Sequence, residues 1–125
     1  VSGLYPLGKH GFHVHQHRIV GGDCESAGPH YNPTKQNHGS PDSVVSHVGD
    51  LGNLQANAQG VANFDIAADK LSLRGKFSVI ERSLVVHLRT DDLGMGYNRE
   101  SLESGNSGGR IACGTIKYVS IGQTA

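Results

Sequence analysis

The sequence predicts an all-β domain with two long functional loops. Apolar residues alternate with polar or small ones in several segments, which is the pattern of strands that bury one face. No apolar stripe at helical spacing runs beyond a turn or two. Two stretches rich in Gly, Asn and Ser, residues 21–52 and 90–109, interrupt the alternation. Loops of that length in a small domain are usually functional.

The predicted strands follow from this alternation. The first contains His13 and His15, which share one face because they are two residues apart. In another, His87 is one residue out of phase with Val86 and so faces the opposite side. Apart from the first, the predicted strands cover residues 62–66, 71–79, 84–88 and 111–121.

Length and charge limit the class of protein. The chain has 125 residues and no internal repeat, which predicts a single domain over residues 1–125. Eleven basic residues balance eleven acidic ones, so net charge gives no reason to expect nucleic acid or an anionic membrane as a partner. No apolar run approaches the roughly 20 residues that span a bilayer. The chain starts without Met or a signal peptide, and we expect a processed form or a fragment.

The two cysteines, Cys24 and Cys113, lie far apart in the sequence. Neither belongs to a CxxC pair of the kind that builds thiolate zinc sites. One long-range disulfide is favoured, and two buried thiols are the alternative. A disulfide would favour an oxidising compartment.

Six of the eight histidines fall in short ordered motifs, and imidazole is the commonest protein metal ligand. His13 and His15 on one strand, with His87 on another, would place three imidazoles on rigid supports, which suits a redox-capable metal. His10 and His17 are interpreted as structural or surface groups.

A second set of candidate ligands lies in the first long loop. His38, His47 and Asp50 combine imidazoles with a carboxylate, which suits tetrahedral zinc. His30 lies between the two sets in the sequence and could serve both metals. The alternative is a series of solvated or turn-forming side chains. That alternative explains each motif alone but not all six histidines together.

Taken together, these motifs resemble the copper/zinc superoxide dismutase family. The resemblance runs nearly end to end and keeps the intervals between motifs. The matching segments are GFHVH at 11–15, CESAGPHYNP at 24–33, HVGDLGN at 47–53, VVHLRTDDLG at 85–94 and GNSGGRIACGTI at 105–116.

The resemblance implies a Greek-key β-barrel or flattened, immunoglobulin-like sandwich with the metals outside the barrel wall. It also implies two ligand sets that share one bridging histidine. The copper ligands would be His13, His15, His30 and His87, and the zinc ligands would be His30, His38, His47 and Asp50.

The resemblance assigns further roles around the metals. Asp91 corresponds to a carboxylate that links ligands of both metals, and such groups fix imidazole orientation. Arg110 corresponds to the arginine that attracts and orients superoxide beside copper. Cys24 and Cys113 correspond to the intrasubunit disulfide. The implied reaction is dismutation of superoxide to oxygen and hydrogen peroxide, with His30 taking up a proton during turnover.

The start of the chain departs from the family pattern. Only ten residues precede Gly11, and the first two strands and most of the third are expected to be absent. Five predicted strands remain. A barrel opened in this way exposes unpaired edges. A strand-complementing partner chain, a different closure of the remaining strands and an unstable isolated chain are the alternatives.

The surface that forms the family's homodimer also departs from the pattern. Arg18 lies in a segment that lacks the family's Gly-Asp pair, and Glu81 and Lys117 replace glycines. Charged side chains in an apolar interface incur a desolvation cost unless they are paired. We expect the usual homodimer to be weakened or replaced. The alternative is an interfacial ion pair of Glu81 with Lys117 or Arg18.

The second long loop carries unusual charge in the segment that guides substrate in the family. Glu103 lies where a lysine often helps to attract superoxide, which predicts a lower, salt-sensitive encounter rate. The alternative is that Arg99, Glu100 and Glu103 are solvated and have little effect.

Three functions are open at this point. They are an active dismutase, a catalytically weak metal-binding or storage relative, and a copper-chaperone domain that docks onto a dismutase. Retention of every ligand together with Arg110 favours the first. The CESAGPHYNP segment and the cysteine pair favour an extracellular location, and a cytoplasmic location is the alternative because cytosolic members share the disulfide.

Overall fold

The structure is a computed structural model that describes residues 1–119 and centres on a four-stranded antiparallel sheet. The strands are β1 (Lys9–His15), β2 (Asp50–Gln55), β3 (Ser83–His87) and β4 (Arg110–Thr115). Their order across the sheet is β2-β1-β3-β4. The predicted all-β class is confirmed.

β1 lies inside the sheet and presents different chemistry to its two faces. Phe12 packs in the hydrophobic core, whereas His13 and His15 lie on the opposite face and are almost fully buried. In the neighbouring β3, Val86 packs in the core and His87 lies on the face of the β1 histidines. The alternation predicted for these two strands is confirmed, and it aims three imidazoles the same way.

Two short helical pieces lie within the predicted loops. A 3-10 helix spans Cys24–Ala27, and α1 spans Arg99–Glu103. Asp23 and Asn98 cap them by accepting a backbone N–H of the first turn. Within residues 1–119, no helix is long and apolar enough to cross a membrane.

The predictions of strands at residues 62–66 and 71–79 are wrong. Both segments are irregular, although Ala62 and Val79 are buried in the core and Phe64 is 47% exposed. Their backbones make few hydrogen bonds, because no strand among the described residues runs alongside to pair with them. Three of the five predicted strands are therefore present among the described residues, and the fourth strand of the sheet, β2, was not predicted, since it begins at Asp50 within the segment 21–52 expected to be a loop.

The last strand is also shorter than predicted. β4 ends at Thr115, and residues 116–119 are irregular. The backbone N–H of Ile116 donates to the carbonyl of Arg82 at 2.8 Å, so contact with the rest of the chain continues past the strand end. The remainder of the predicted strand, to Ile121, lies outside the described residues.

Arg18, Glu81 and Lys117 are all exposed, and the backbone N–H of Ile19, next to Arg18, donates to the Thr115 hydroxyl at 3.0 Å. The backbone N–H of Glu81 donates to the carbonyl of Ile116 at 2.8 Å, which places Glu81 beside Lys117 in the chain's fold. Glu81 has a φ of 63°, in the left-handed region that favours glycine. Within residues 1–119, no ion pair joins these three side chains.

Candidate metal centre

Four imidazoles converge on the outer face of the sheet. His13 and His15 come from β1 and His87 from β3, while His30 reaches them through a β-bridge with His15. All four residues are at most 5% exposed. The Nε2 atoms of His15 and His87 are 3.2 Å apart. Each of the four offers a ligand atom within 4.8 Å of the other three, so one ion could contact all of them.

Backbone carbonyls fix the orientation of two of these rings. The Nδ1 atom of His15 lies 2.7 Å from the carbonyl of Gly28, and that of His87 lies 3.0 Å from the carbonyl of Gly108. A carbonyl only accepts, so each Nδ1 donates its proton and each Nε2 is left bare as a metal ligand.

The other two rings present unpartnered nitrogens. Within the described residues, Nδ1 of His13 and Nε2 of His30 are buried and have no hydrogen-bond partner. Buried polar atoms are nearly always satisfied, so two such atoms within one cluster of imidazoles indicate a group bound between them. A metal ion bound by the four imidazoles would satisfy both.

A second group forms around one oxygen of Asp50. The Nδ1 atoms of His30, His38 and His47 lie 3.1, 2.9 and 3.3 Å from Asp50 Oδ1. In a tetrahedral zinc site with bonds of about 2.0 Å, neighbouring ligand atoms are about 3.3 Å apart. The spacing of these four atoms therefore fits one zinc ion held between them.

His13 also comes close to this second group, since its ring centroid is 3.9 Å from that of His30. It offers a ligand atom within 4.8 Å of those of His30, His38 and Asp50. We nevertheless assign His47 to the second group. The Nε2 of His13 is already hydrogen-bonded to Asp91 at 2.7 Å, and its free Nδ1 belongs to the first group.

Asp50 is held in place and kept ionised. Its Oδ2 accepts the backbone N–H groups of His47 at 2.8 Å and Gly39 at 3.1 Å. Burial opposes ionisation, but hydrogen bonds from His30, His38 and His47 hold the pKa of Asp50 well below its usual range. A carboxylate in this state is ready to bind a cation.

Asp91 contacts one histidine of each group and so links the two groups. Its Oδ2 lies 2.7 Å from His13 Nε2, and its Oδ1 lies 2.7 Å from His38 Nε2. A carboxylate only accepts, so both Nε2 atoms carry protons and both Nδ1 atoms are left for a metal. Asn53 fixes Asp91 in turn, because its Oδ1 accepts the Asp91 N–H at 2.7 Å and its Nδ2 donates to the Asp91 carbonyl at 3.0 Å. Asn53 lies within the HVGDLGN motif but was not predicted as a site residue.

Individual histidines of the centre differ in their affinity for protons. Burial, together with electrostatic repulsion from His30, lowers the pKa of His15 to about 2. Burial, with repulsion from His13, lowers the pKa of His30 to about 3. Burial also disfavours charge on His38, but hydrogen bonds to Asp50 and Asp91 outweigh it and raise its pKa to about 9.

Arg110 lies at the entrance to the first group. It borders a pocket of about 390 Å³ that is also lined by His15, His30 and His87. Its Nη2 donates to the carbonyl of Gly28 at 2.7 Å, the same carbonyl that accepts from His15. A fixed positive charge therefore faces the imidazoles of the first group.

Carboxylates share this entrance. Glu25, Glu100 and Glu103 also line the pocket, and Glu25 Oε2 lies 3.7 Å from Arg110 Nε. Glu103 forms an exposed ion pair with Arg99 at 2.9 Å. The entrance thus combines the guanidinium of one arginine with the carboxylates of three glutamates.

The two cysteines and the two histidines outside the metal-binding groups have structural or surface positions. Cys24 and Cys113 form a disulfide, so the alternative of two free thiols is wrong. His10 is buried, and its Nδ1 donates to the carbonyl of His87 at 2.9 Å, which is a structural role. His17 is exposed.

The fold and the site together define a class: a β-sheet metalloprotein with two adjoining histidine-rich groups joined by His30 and Asp91. The family described as copper/zinc superoxide dismutase matches residues 1–116, and the chain belongs to this family. Copper and zinc are the metals that the family implies, and the two sets of donors fit them.

Several named superoxide dismutases are similar to this chain over most of its length. The chain is 55% identical over 108 residues to a Cu-Zn superoxide dismutase of Cryptococcus neoformans var. grubii, covering 86% of this chain and 70% of the relative. It is 50% identical over 118 residues to one of Paramecium bursaria Chlorella virus 1, covering 94% and 63%. It is 52% identical over 124 residues to an extracellular Cu-Zn superoxide dismutase of Onchocerca volvulus, covering 97% and 61%. The chain therefore spans about two thirds of the length of these relatives.

Proposed function

We propose that this protein is a superoxide dismutase that converts two superoxide anions and two protons into oxygen and hydrogen peroxide. The observation that carries the proposal is the set of unpartnered, buried nitrogens that converge beside the three imidazoles gathered on Asp50. The proposed copper ligands are His13, His15, His30 and His87, and the proposed zinc ligands are His30, His38, His47 and Asp50.

Copper, when bound, supplies the one-electron exchange that oxidises one superoxide and reduces the next, whereas zinc supplies charge without redox chemistry. The protein's own contribution begins with pre-organisation. His13, His15 and His87 are carried by paired strands, and Asp91 or backbone carbonyls fix each ring. Ligands held in this way need no rearrangement as charge changes at the site.

Arg110 is the proposed anion-binding residue. Its guanidinium is anchored by the carbonyls of Cys24 and Gly28, which keeps it beside His15 and His87 at the pocket. A planar, permanently charged group offers both attraction and directed hydrogen bonds to a small anion.

His30 is the proposed bridging and proton-carrying residue. Its Nδ1 lies 3.1 Å from Asp50 on the zinc side, while its Nε2 is buried on the copper side. The two nitrogens of one ring therefore serve different neighbours. We propose that Nε2 can hold the proton that peroxide formation requires, while Nδ1 stays with the zinc group.

Metal content and superoxide consumption, measured together, test this proposal. Arg110→Ala should reduce anion capture and leave metal content unchanged, while Arg74→Ala, an exposed arginine outside the pocket, should change neither. His30→Ala should disturb both metals. Full copper and zinc occupancy without superoxide consumption would instead support a catalytically weak metal-storage protein.

We also propose an extracellular location. Relatives from Onchocerca volvulus, Caenorhabditis elegans and Drosophila melanogaster carry the word extracellular in their names, and the Cys24–Cys113 disulfide suits an oxidising compartment. Immunodetection in medium and cell fractions of the native source tests it. Recovery from the cytosolic fraction alone would contradict it.

We further propose that any homodimer through the surface of Arg18, Glu81 and Lys117 is weak. The three charged side chains are exposed and unpaired with one another in the described residues, so burying them carries a desolvation cost. Sedimentation of the metal-loaded protein tests this, and a tight dimer through that surface would contradict it.

A further inference from the structure

Lys70 connects the segment 40–46, which directly precedes His47, to a distant part of the chain. Its Nζ donates to the carbonyl of Ser43 at 2.5 Å and to the hydroxyl of Ser46. Within residues 1–119, every other hydrogen bond of this segment is local, such as Ser43 N–H to the Ser40 carbonyl at 3.0 Å. Lys70 is therefore the segment's only long-range polar connection in the described part of the chain.

The segment has little apolar support of its own. Val44 is 95% exposed and Val45 is 47% exposed, so neither anchors the segment in the core. Ser46 behaves differently, since it is buried and its hydroxyl donates to the carbonyl of His47 at 3.1 Å. The contact with Lys70 thus reaches the residue that directly precedes a candidate zinc ligand.

The other end of this connection is fixed. Ala68 and Leu71, on either side of Lys70, pack against the hydrophobic core, and the Leu71 N–H donates to the Ala68 carbonyl at 3.3 Å. The ammonium group therefore extends from a backbone that the core already holds. A hydrogen bond from a fixed donor restricts its acceptor, whereas a bond between two mobile loops would not.

We infer that Lys70 is a positioning residue for the zinc half of the centre. It holds Ser46, and through Ser46 the backbone at His47, whose N–H donates to Asp50 Oδ2 at 2.8 Å. This inference rests on the proposed zinc site. The copper half does not depend on Lys70 in this way, because three of its four proposed ligands lie on β1 and β3.

Three variants separate positioning from charge. Lys70→Met keeps the length of the side chain and removes its donors, whereas Lys70→Arg keeps donors and charge. Lys76→Met is the matched control, because Lys76 is exposed in the same irregular region and makes no hydrogen bond within the described residues. Each is prepared as holoprotein, and zinc release to a chromophoric chelator is timed. Cobalt(II) in the zinc position reports the ligand geometry through its visible absorption.

Lys70→Met should release zinc about tenfold faster, at the low end of the loss seen when groups behind metal ligands are removed. Its cobalt bands should shift while its copper EPR spectrum stays unchanged, and Lys70→Arg and Lys76→Met should match the wild type. Wild-type zinc release and cobalt bands in Lys70→Met would overturn the inference and leave the proposed function intact. Failure of the wild-type protein to bind zinc or cobalt would overturn both.

The route through Ser46 is tested with Ser46→Ala. If Lys70 acts through this hydroxyl, the double variant should release zinc no faster than the faster single variant. If the two substitutions act independently, their fold-increases in zinc release will multiply in the double variant. That result would show that Lys70 does not act through Ser46.

Discussion

The Nη1 atom of Arg110 donates a hydrogen bond of 2.9 Å to the backbone carbonyl of Cys24. Cys24 is bonded through its sulfur to Cys113, which lies on the same strand as Arg110. The guanidinium and the disulfide therefore attach one point of the loop to one strand. The Gly28 carbonyl, which accepts from both Arg110 and His15, extends this connection to an imidazole of the first histidine group.

Replacement of Cys24 and Cys113 by serine should affect both stability and catalysis. The disulfide closes a separation of 89 residues, and its loss should lower the free energy of unfolding by about 4–5 kcal/mol on the chain-entropy account. The kcat/KM for superoxide should also fall at full metal content, because Arg110 loses part of its anchor. Denaturant unfolding and superoxide consumption measure the two effects. Unchanged kcat/KM in a metal-replete serine variant would show that Arg110 is positioned without the disulfide.

Asp91→Asn should weaken zinc binding by about 10–100-fold, which is the usual cost of losing a group behind metal ligands. The carboxylate accepts from both His13 and His38, and an amide has only one oxygen for the two donors. Chelator competition measures the zinc affinity. Asp92→Asn is the adjacent control, since Asp92 accepts from Ser101 and Asn106 and contacts no histidine. Equal losses in the two variants would contradict the linking role of Asp91.

The sequence predicts the parts of this molecule that depend on local periodicity. His13 and His15 share a face because strand side chains alternate, and β1 and β3 are regular enough for that rule to hold. Residues 62–66 alternate as well, but only Ala62 of their three apolar residues is buried, and a strand also needs a neighbouring strand to pair with.

Long-range polar contacts were not predictable from the sequence. Asn53 and Lys70 are unremarkable by residue type, and their roles arise only when distant segments pack together. Asn53 reaches Asp91 across 38 positions, and Lys70 reaches Ser46 across 24. No pattern along the chain marks such pairs, whereas the candidate ligands stand out because the histidines recur in short motifs and are chemically distinctive.

Glu103→Lys should raise kcat/KM for superoxide roughly two- to threefold at low ionic strength, because it replaces a negative charge with a positive one at the pocket entrance. The gain should shrink as salt screens the exposed side chain. Asp65→Lys is the control, since it makes the same charge change at an exposed site outside the pocket. Stopped-flow or pulse-radiolysis rates at two salt concentrations measure the effect. Equal gains in the two variants would point to overall charge and not to the entrance.

The metal-free protein should lose stability as the pH falls below about 6.5. The pKa values of His15 and His30 are lowered from 6.5 to about 2 and about 3, so the unfolded chain binds protons that the folded chain does not. Each such histidine should lower the free energy of unfolding by about 1.4 kcal/mol for every pH unit between pH 6.5 and its own folded-state pKa. His38 acts in the opposite sense, because its pKa is raised to about 9 and its contribution is lost as the pH rises through that value. Denaturant unfolding of the metal-free protein at several pH values measures both trends. Equal free energies of unfolding above pH 6.5 and well below it would contradict the first trend.

Glu81→Gly should stabilise the fold and promote self-association. Glu81 has a φ of 63°, and an L residue in that region costs about 1–2 kcal/mol, part of which the greater unfolded-state freedom of glycine cancels. A net gain of about 0.5–1 kcal/mol in the free energy of unfolding is expected. The substitution also removes a charge from the surface shared with Arg18 and Lys117, which lowers the cost of burying that surface.

Leu7→Gly separates these two effects of the Glu81 substitution. Leu7 has a φ of 59° and is 70% exposed, so it offers the same backbone relief. It lies near β2, at the edge of the sheet opposite β4, and should not alter association through the Glu81 surface. Denaturant unfolding and sedimentation of both variants measure the outcome. Stronger association in Leu7→Gly, or none in Glu81→Gly, would show that the charge of Glu81 does not limit dimer formation.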